Sequence, residues 1–432
     1  MISPFLYFYF YFYFISSIVS ITFLLVLSRR SWGIFPKLYA HVLIWIQEKF
    51  ASSTEIPIGQ RLKIIQRRYN GRFIDRITAD FAHKQKLNEK ATFFDLENDL
   101  VQAGIEAIIQ DDLLFTCEWA PTNHWNSSFQ NFNKSAIVDF TLQWTTFIFG
   151  CTIRYFLLFP IRVCCLTLAM LFISTAAIFS FFYKYNQPQI VYIGHVFSRL
   201  FCQSIGLIAY YENDKYRPKS PGIAVANHIS ANDIQMLFSD PNIAGYTVTG
   251  QKHKGLIGWI ESTCGRVGST LWLERANANE RRDFQKDIVD FARDKTKEPI
   301  LLFPEGYCSN GAAVSLFRRS CFVENVDIYP IAVRQDPRLG DAFWKEDTFL
   351  PYMFRLMTSF AVIYHVRYLA PMKKKKSETA ENFARRIQEK IAETNKTDAL
   401  PFDMGVLKKK SEQKKLLDHS QFQCAKITTS LQ

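Results

Sequence analysis

The sequence contains no C-x-x-C pair, although nine cysteines are scattered from Cys117 to Cys424. Their odd count and irregular spacing argue against a disulfide framework or a zinc site, and they predict reduced thiols and no metal ion. The sequence also has no internal repeat and no motif that combines basic and aromatic side chains to bind nucleic acid. A nucleic-acid partner is therefore not predicted.

Basic side chains outnumber acidic ones: 52 Lys and Arg stand against 40 Asp and Glu, which gives a net charge of +12. This excess favours an anionic partner, such as lipid head groups, a phosphorylated substrate, coenzyme A or nucleic acid. Because the chain also has long apolar segments, lipid and phosphate fit this charge better than nucleic acid does.

The first apolar segment has no charged residue from Pro4 to Leu27 and begins with a Phe/Tyr tract, Phe5–Phe14. About 20 such residues span a bilayer as a helix, so we predict a transmembrane anchor over residues 1–30. The rival interpretation is a cleaved signal peptide, which needs a basic start that this segment lacks. Arg29 and Arg30 follow the segment, which places the N-terminus in the lumen and the following chain in the cytosol.

We predict a small cytosolic helical region over residues 31–139, with helices near Ala40–Ile46 and Leu96–Ile109. A second apolar block over residues 140–185 is interrupted by Arg154 and Arg162. Two full membrane spans would place these arginines in the lumen, against the charge rule, so we favour an apolar hairpin that dips into one leaflet. The Lys-rich end, residues 408–432, is predicted to be a disordered basic tail.

Residues 186–407 alternate between strand-like and helix-like patterns, which predicts an α/β domain with a largely buried central sheet flanked by helices. Helices are expected around Phe284–Ala292 and Ala380–Ile391, the second with Ser377 as its N-cap. The predicted strands are Gly222–Ala226, Tyr246–Thr249, Thr270–Leu273, Pro299–Phe303, Ile328–Val333 and Ala361–Tyr368.

The first motif with chemical potential is Asn227-His228-Ile-Ser-Ala-Asn-Asp233, directly after a predicted strand. A carboxylate five positions after a histidine can orient the imidazole and stabilise its cation, so that the other ring nitrogen accepts a hydroxyl proton. Such a pair also occurs by chance. The alternative is an exposed turn histidine beside an aspartate that caps a helix.

Three further motifs occupy or follow predicted strands. Trp272–Arg275 ends in an arginine that can bind phosphate with two N–H groups of its guanidinium; the alternative is a surface salt bridge with Glu274.

In Phe303-Pro-Glu-Gly306, Pro and Gly favour a tight turn that exposes backbone N–H groups and directs Glu305 into a cleft. The alternative is an ordinary turn. Tyr329–Val333 has the pattern of a buried core strand.

Together, the order and spacing of these motifs resemble the four blocks of the glycerolipid acyltransferase superfamily. Within that superfamily, Gly222–Lys408 is similar to the endoplasmic-reticulum glycerol-3-phosphate acyltransferases. Other stretches that carry this resemblance are Val248–Gly258, Gly340–Trp344, Arg355–Ser359, Arg154–Val163 and Gly104–Ala107.

The resemblance implies that His228 is a general base held by Asp233, and that the glycerol alkoxide attacks the acyl-CoA thioester directly, without an acyl-enzyme. It further implies that Arg275 and the Glu305-Gly306 turn bind the phosphate of glycerol 3-phosphate, with Arg318 and Arg319 adding positive charge. Acyl-CoA is then a co-substrate, and no cofactor is needed. The apolar hairpin would hold the acyl chain, in the endoplasmic-reticulum membrane with the catalytic domain cytosolic.

The chain departs from the family pattern at two places near the expected phosphate site. Tyr307 stands where the family usually has Thr, and Ser320-Cys321 stands where a Gly-Ser pair is usual. Two alternatives therefore stay open. In the first alternative, the chain is an acyltransferase whose acceptor is lysophosphatidate or another lysophospholipid. In the second, it is an inactive family member that acts as a membrane scaffold or lipid-binding protein.

Overall fold

The computed structural model describes residues 4–50, 77, 83, 92–109, 115–117, 137–219, 221–251, 255–268, 270–273, 278–344, 346–408 and 410–431. Its helices are α1 (Pro4–Leu27), α2 (Phe35–Phe50), α3 (Phe93–Ile109), α4 (Ile137–Thr152), α5 (Phe159–Phe179), α6 (Gln187–Ser204), α7 (Asp233–Phe238), α8 (Gly255–Val267), α9 (Ala278–Arg293), α10 (Phe349–Met357), α11 (Ala380–Asn395), α12 (Gly405–Lys408) and α13 (Lys410–Leu431). Its strands are β1 (Leu207–Glu212), β2 (Ile223–Ala226), β3 (Thr247–Gln251), β4 (Thr270–Leu273), β5 (Ile300–Leu302), β6 (Ala313–Val314), β7 (Ile328–Asp336), β8 (Val362–Tyr368) and β9 (Asp398–Ala399).

Seven strands form one mixed sheet in the order β1-β8-β7-β2-β5-β3-β4, and β6 pairs with β9 in a small second sheet. Neighbouring strands of the large sheet run parallel, except that β7 and β8 are antiparallel. Parallel neighbours need crossover connections, and helices therefore cover the sheet. The predicted α/β class, with a buried sheet flanked by helices, is confirmed.

Two apolar cores lie on the two sides of the large sheet. One core packs α6, α7 and α10 onto the sheet through residues such as Leu200, Leu237 and Leu356. The other packs α9 and α11 through residues such as Ile288 and Phe383. Because side chains alternate along a strand, β2 contributes to both cores and is completely buried. This burial fixes the strand that leads into the first motif.

The sequence predicts six of the seven strands of the large sheet. It misses the edge strand β1, because Leu207–Glu212 continues without a turn-rich stretch from the apolar end of α6. It also misplaces one helix cap. Thr379, rather than Ser377, is the N-cap of α11, since its side chain accepts a hydrogen bond from the Asn382 N–H.

The predicted hairpin over residues 140–185 is wrong, because α4 and α5 are joined without a turn. A six-residue π-helical segment, Ile153–Leu158, connects them, and the flanking Thr152 and Phe159 keep helical dihedral angles. Pro160 directly follows the π-helical segment, and its missing backbone N–H leaves one hydrogen bond of the helix unmade there without ending the helix.

The hairpin prediction used the charge rule to place a turn at Arg154 and Arg162, whereas the protein supplies partners for Arg162 within the fold. Arg162 donates from Nη1 to the Met357 carbonyl at 2.9 Å and from Nη2 to the Phe360 carbonyl at 2.6 Å. It thereby caps the C-terminal end of α10. Gly206 makes room for this contact, because a Cβ at that position would lie 2.0 Å from Arg162 Nη2.

Two helical stretches are long and apolar enough to cross a membrane, by length and composition: Phe5–Leu27, with 23 residues, and Trp144–Phe179, with 36. The first coincides with the predicted N-terminal anchor. Both give the chain the character of a membrane protein.

The prediction of a disordered tail is also wrong, because Lys410–Leu431 is the helix α13. This stretch contains no Pro or Gly and is rich in Lys, Gln and Leu, which all favour helix. Between residues 31 and 139, the two predicted helices correspond to α2 and α3. Most of the remainder of that region lies outside the described residues.

Candidate active site

Two of the sequence motifs meet at one edge of the large sheet. The strands β2 and β5 are parallel neighbours, and their carboxyl ends lead directly into the His228 and Glu305 motifs. In α/β sheets, the loops at the carboxyl ends of strands are the usual place for a ligand site. We refer to this edge as the catalytic edge.

His228 and Asp233 are in contact, as their spacing predicts. His228 Nδ1 lies 2.9 Å from Asp233 Oδ2, and Asp233 is the first residue of α7. The Asp233 side chain is completely buried, whereas the His228 side chain is 19% exposed. The ring is therefore held on its Nδ1 side and remains open to a substrate.

Asp233 is fixed by four further hydrogen bonds. It accepts from the backbone N–H groups of Ile229 at 2.7 Å and Ser230 at 3.0 Å, and from the Ser230 and Tyr364 hydroxyls at 3.1 Å each. Burial raises the pKa of Tyr364 well above its usual value, so this hydroxyl stays a donor. A carboxylate with so many donors cannot rotate, and it determines the orientation of the imidazole.

Two further side chains, those of Phe303 and Cys308, lie next to the His228 ring. Phe303 stacks on it with ring centroids 4.3 Å apart, and the Cys308 side chain lies near enough to act on its charge. Burial of the ring opposes its protonation. The Cys308 sulfur and the Asp233 carboxylate outweigh burial and hold the pKa of His228 well above its ordinary value. Both groups therefore favour the charged form of the ring.

The Glu305 side chain points into the protein rather than into an open cleft. Its side chain is completely buried, and its two oxygens accept from the backbone N–H groups of His228 and Ser315, each at 2.8 Å. Burial raises the pKa of Glu305 to about 7. Because both oxygens are occupied, Glu305 ties the His228 turn to β6 and acts as a positioning residue.

Gly306 and Arg318 form the other side of this turn. Gly306 has φ = +72°, and a Cβ there would lie 2.6 Å from Arg318 Nη1. Arg318 donates from Nε and Nη2 to Asp403 at 3.0 and 3.2 Å, and its guanidinium lies over the Tyr307 ring. Burial opposes the charge on Arg318, but Asp403 outweighs it and raises the pKa of this arginine. Arg318 thus keeps a positive charge close to the Gly306 turn.

The other predicted phosphate ligands are not brought to the His228 turn by any described contact. Arg319 pairs with Glu381 on the surface, where its side chain is 71% exposed. Arg275 lies outside the described residues, and so does the side chain of Ser320.

Asn227 connects the first motif to the fourth. Its amide exchanges two hydrogen bonds of 2.8 Å with the backbone of Val333, one in each direction. The strand Tyr329–Val333 is therefore core, as predicted, and it also fixes the residue that precedes His228.

Sequence reasoning missed two residues of this site. Tyr364 is 131 positions from Asp233 and lies in a strand, where its pattern indicates only core. Cys308 follows the Phe303–Gly306 motif by two positions, but it lies 80 positions after His228 in the sequence. Neither residue is near its partner in the sequence, so only the packing of β8 and of the turn after β5 reveals them.

The fold and this histidine–aspartate site define an acyltransferase, and comparison with known proteins agrees. Residues 208–334 match the family model described as Acyltransferase. Glycerol-3-phosphate acyltransferase 3 of Mus musculus is 32% identical over 318 residues, which cover 71% of this chain and 70% of the mouse protein. Glycerol-3-phosphate acyltransferase 4 of Mus musculus is 32% identical over 320 residues, with coverage of 71% and 68%.

Glycerol-3-phosphate acyltransferase 3 of Homo sapiens is likewise 32% identical, over 323 residues that cover 71% of each chain. The chain therefore belongs to the family of the glycerol-3-phosphate acyltransferases 3 and 4.

Proposed function

We propose that this protein transfers an acyl group from acyl-CoA to the sn-1 hydroxyl of glycerol 3-phosphate and releases lysophosphatidate. The observation that carries the proposal is the buried Asp233 carboxylate on the Nδ1 side of a partly exposed His228. Relatives that bear the name glycerol-3-phosphate acyltransferase support the acceptor.

In this mechanism, His228 accepts the proton of the glycerol hydroxyl through its Nε2 atom. The oxygen attacks the thioester carbonyl carbon, the bond between carbon and sulfur breaks, and the coenzyme A thiolate recovers the proton from the imidazolium. Asp233 stabilises the imidazolium and keeps the ring in place. General-base catalysis of this kind is worth roughly two to four orders of magnitude in rate.

The acceptor phosphate is assigned to the positive charge around the Gly306 turn. Arg318 keeps its charge there, although Asp403 occupies two of its donors. Arg275 is proposed as the arginine that binds phosphate with both arms, and Arg319 as a more distant cation that attracts it. Glu305 supports this turn from within.

The Tyr307 ring favours a second candidate, an acyltransferase that acts on lysophosphatidate or another lysophospholipid. This ring lies beneath Arg318, at a position where the family usually has the small hydroxyl residue Thr. A ring is larger than a Thr side chain, so it leaves less space beside the Arg318 guanidinium for the phosphate of a small acceptor. The third possibility, an inactive scaffold, predicts no transfer at all.

We place the protein in the endoplasmic-reticulum membrane, with the catalytic domain in the cytosol. The first apolar stretch and the arginines that follow it support this placement. The hydrogen bond between Tyr39 of α2 and the Phe360 carbonyl requires the chain before and after the second apolar stretch to lie on the same side of the bilayer.

The test is a panel of acceptors offered to the purified full chain with one long-chain acyl-CoA. Products are identified by mass, and the Asp233→Asn variant is the matched control. We expect lysophosphatidate from glycerol 3-phosphate to form faster than any other product, and much more slowly with the variant. Faster formation of phosphatidate from lysophosphatidate would overturn the acceptor assignment, and no product from any acceptor would overturn the activity.

A further inference from the structure

Helix α2 carries an apolar face that no described part of the protein covers. Phe35, Leu38, Val42 and Trp45 are 67%, 53%, 45% and 56% exposed. Their spacing of three and four residues places all four on one side of the helix. A single exposed apolar residue is ordinary, but a row of four with an aromatic at each end is the pattern of a contact surface.

The opposite side of α2 is already packed against the domain, so the exposed face is not misassigned core. Ala40 is 1% exposed and belongs to a cluster with Ile208 and Phe360. Tyr39 donates its hydroxyl to the Phe360 carbonyl. The exposed side chains of His41 and Glu48 lie on a strip between the two apolar sides, so α2 has two apolar faces, of which the described part of the protein uses one.

We propose that this second face lies in the interfacial layer of a lipid bilayer, so that α2 is an in-plane membrane helix rather than a cytosolic one. The chain itself indicates the occupant. The apolar stretch of α1 ends at Leu27, and α2 begins at Phe35, so α2 starts close to the point where α1 would leave the membrane.

The charges and aromatic residues near α2 fit the same layer. Arg29, Arg30 and Lys37 lie on the segment between α1 and the first turn of α2, where they can attract anionic head groups. Trp45 ends the exposed row, and tryptophan prefers the boundary between head groups and acyl chains.

The packed side of α2 also contacts the second apolar stretch, Trp144–Phe179. The α2 residues Leu43 and Ile44 pack in one cluster with Ile153 and Leu158 of the π-helical segment. Between those two residues, Tyr155 and Phe156 are exposed. The packed side of α2 therefore rests against a helix that is itself long and apolar enough to enter a membrane, which favours a bilayer over a second copy of the chain as the occupant of the exposed face.

This docking has a consequence for the catalytic edge. The packed side of α2 contacts Phe360, just before β8, and β8 begins beside the end of β7. The end of β2, which leads to His228, lies at the same edge. A bilayer-bound α2 thus holds His228 near the surface in which long acyl chains reside. The docking itself does not depend on which acceptor the enzyme uses.

The test is hydroxyl-radical footprinting of the full chain in vesicles of phosphatidylcholine and phosphatidylserine, read by mass spectrometry. The protein supplies a matched internal control, because Trp45 is 56% exposed and Trp259 on α8 is 44% exposed. In water, Trp45 would oxidise at least as fast as Trp259. The proposal predicts that Trp45 oxidises several-fold more slowly, and that this protection persists when the protein is diluted into excess lipid.

Two variants sharpen the result. Leu38→Glu places a charge in the exposed row and should restore Trp45 oxidation, whereas His41→Glu, on the polar strip, should leave Trp45 protected. Equal oxidation of Trp45 and Trp259 in the unaltered protein would overturn the proposal. Protection that disappears on dilution would overturn it in favour of a second copy as the occupant.

Discussion

Cys308 lies beside His228, the proposed general base. In the proposed mechanism the neutral imidazole takes a proton, and the Cys308 sulfur and Asp233 both favour the charged ring. Catalysis should therefore rise with pH as His228 loses its proton, and this rise should occur above the usual pKa of a histidine.

We predict that Cys308→Ala shifts the rise in activity to lower pH, because one of the two groups that raise the pKa of His228 is removed. The measurement is kcat/KM for the acceptor as a function of pH, compared with Cys321→Ala, whose thiol is buried in the other core. Complete loss of activity at every pH would instead indicate that Cys308 reacts covalently. An unchanged profile would show that its sulfur does not influence the ring.

Glu305 should stabilise the fold most at low pH. Burial raises the pKa of Glu305 from 4.5 to about 7, so the folded protein retains a proton that the unfolded chain releases. Its contribution to stability is therefore complete below about pH 4.5 and is lost as pH rises through about 7.

We predict that Glu305→Gln lowers the free energy of unfolding by roughly 1–3 kcal/mol. The glutamine NH2 group cannot accept a hydrogen bond, so one of the two backbone N–H groups, of His228 or Ser315, loses its acceptor. The measurement is the free energy of unfolding of both proteins below pH 4.5 and above about pH 7, which shows whether the Glu305 contribution falls as pH rises. The difference between wild type and variant should shrink as pH rises. A difference that grows would contradict the assigned shift.

At the scale of elements, Arg162 links the apolar helix to the catalytic domain. Its guanidinium donates to carbonyls at the C-terminal end of α10 and before β8, including those of Met357, Ser359 and Phe360. The contact couples α5 to the sheet edge that also carries the active site.

We predict that Arg162→Met lowers the free energy of unfolding by about 3 kcal/mol or more, since several buried carbonyls lose their donor. Val163→Met is the matched control, because Val163 is the next residue of the same helix and points outward. Thermal unfolding in detergent should separate the two variants clearly. Equal melting temperatures would show that Arg162 does not anchor the helix.

Local pattern predicted the buried strands and amphipathic helices because their signals lie within a few neighbouring residues. It also predicted the His228–Asp233 contact, which one turn between β2 and α7 creates. The continuous α4–α5 helix could not be predicted, because the carbonyls that satisfy Arg162 lie almost 200 positions away. For the same reason, the sequence did not show that Glu305 is enclosed by the backbone of two other segments.

At the scale of the whole molecule, the two apolar helical stretches, the α2 face and the catalytic edge lie in one connected part of the protein. The contacts of α2 with the π-helical segment and of Arg162 with the end of α10 join them. Under the proposed function, this arrangement serves an acyl donor at the membrane surface and a polar acceptor from the aqueous side.

The membrane orientation is a prediction of its own. Arg29 and Arg30 after an uncharged N-terminal stretch place the N-terminus in the lumen and the rest of the domain in the cytosol. A glycosylation sequon introduced near Ser52 should remain unmodified in cells, while one added before Pro4 on an extended N-terminus should be modified. Glycosylation near Ser52 would reverse the orientation.

The most direct test of the central assignment is lysophosphatidate formation by His228→Ala, measured with glycerol 3-phosphate and a long-chain acyl-CoA beside the wild-type protein. His228 is partly exposed and lies in a turn, so the variant should keep the wild-type melting temperature. Its turnover should fall by about two to four orders of magnitude, because the general base is gone. Near-normal turnover by a folded His228→Ala protein would contradict the account.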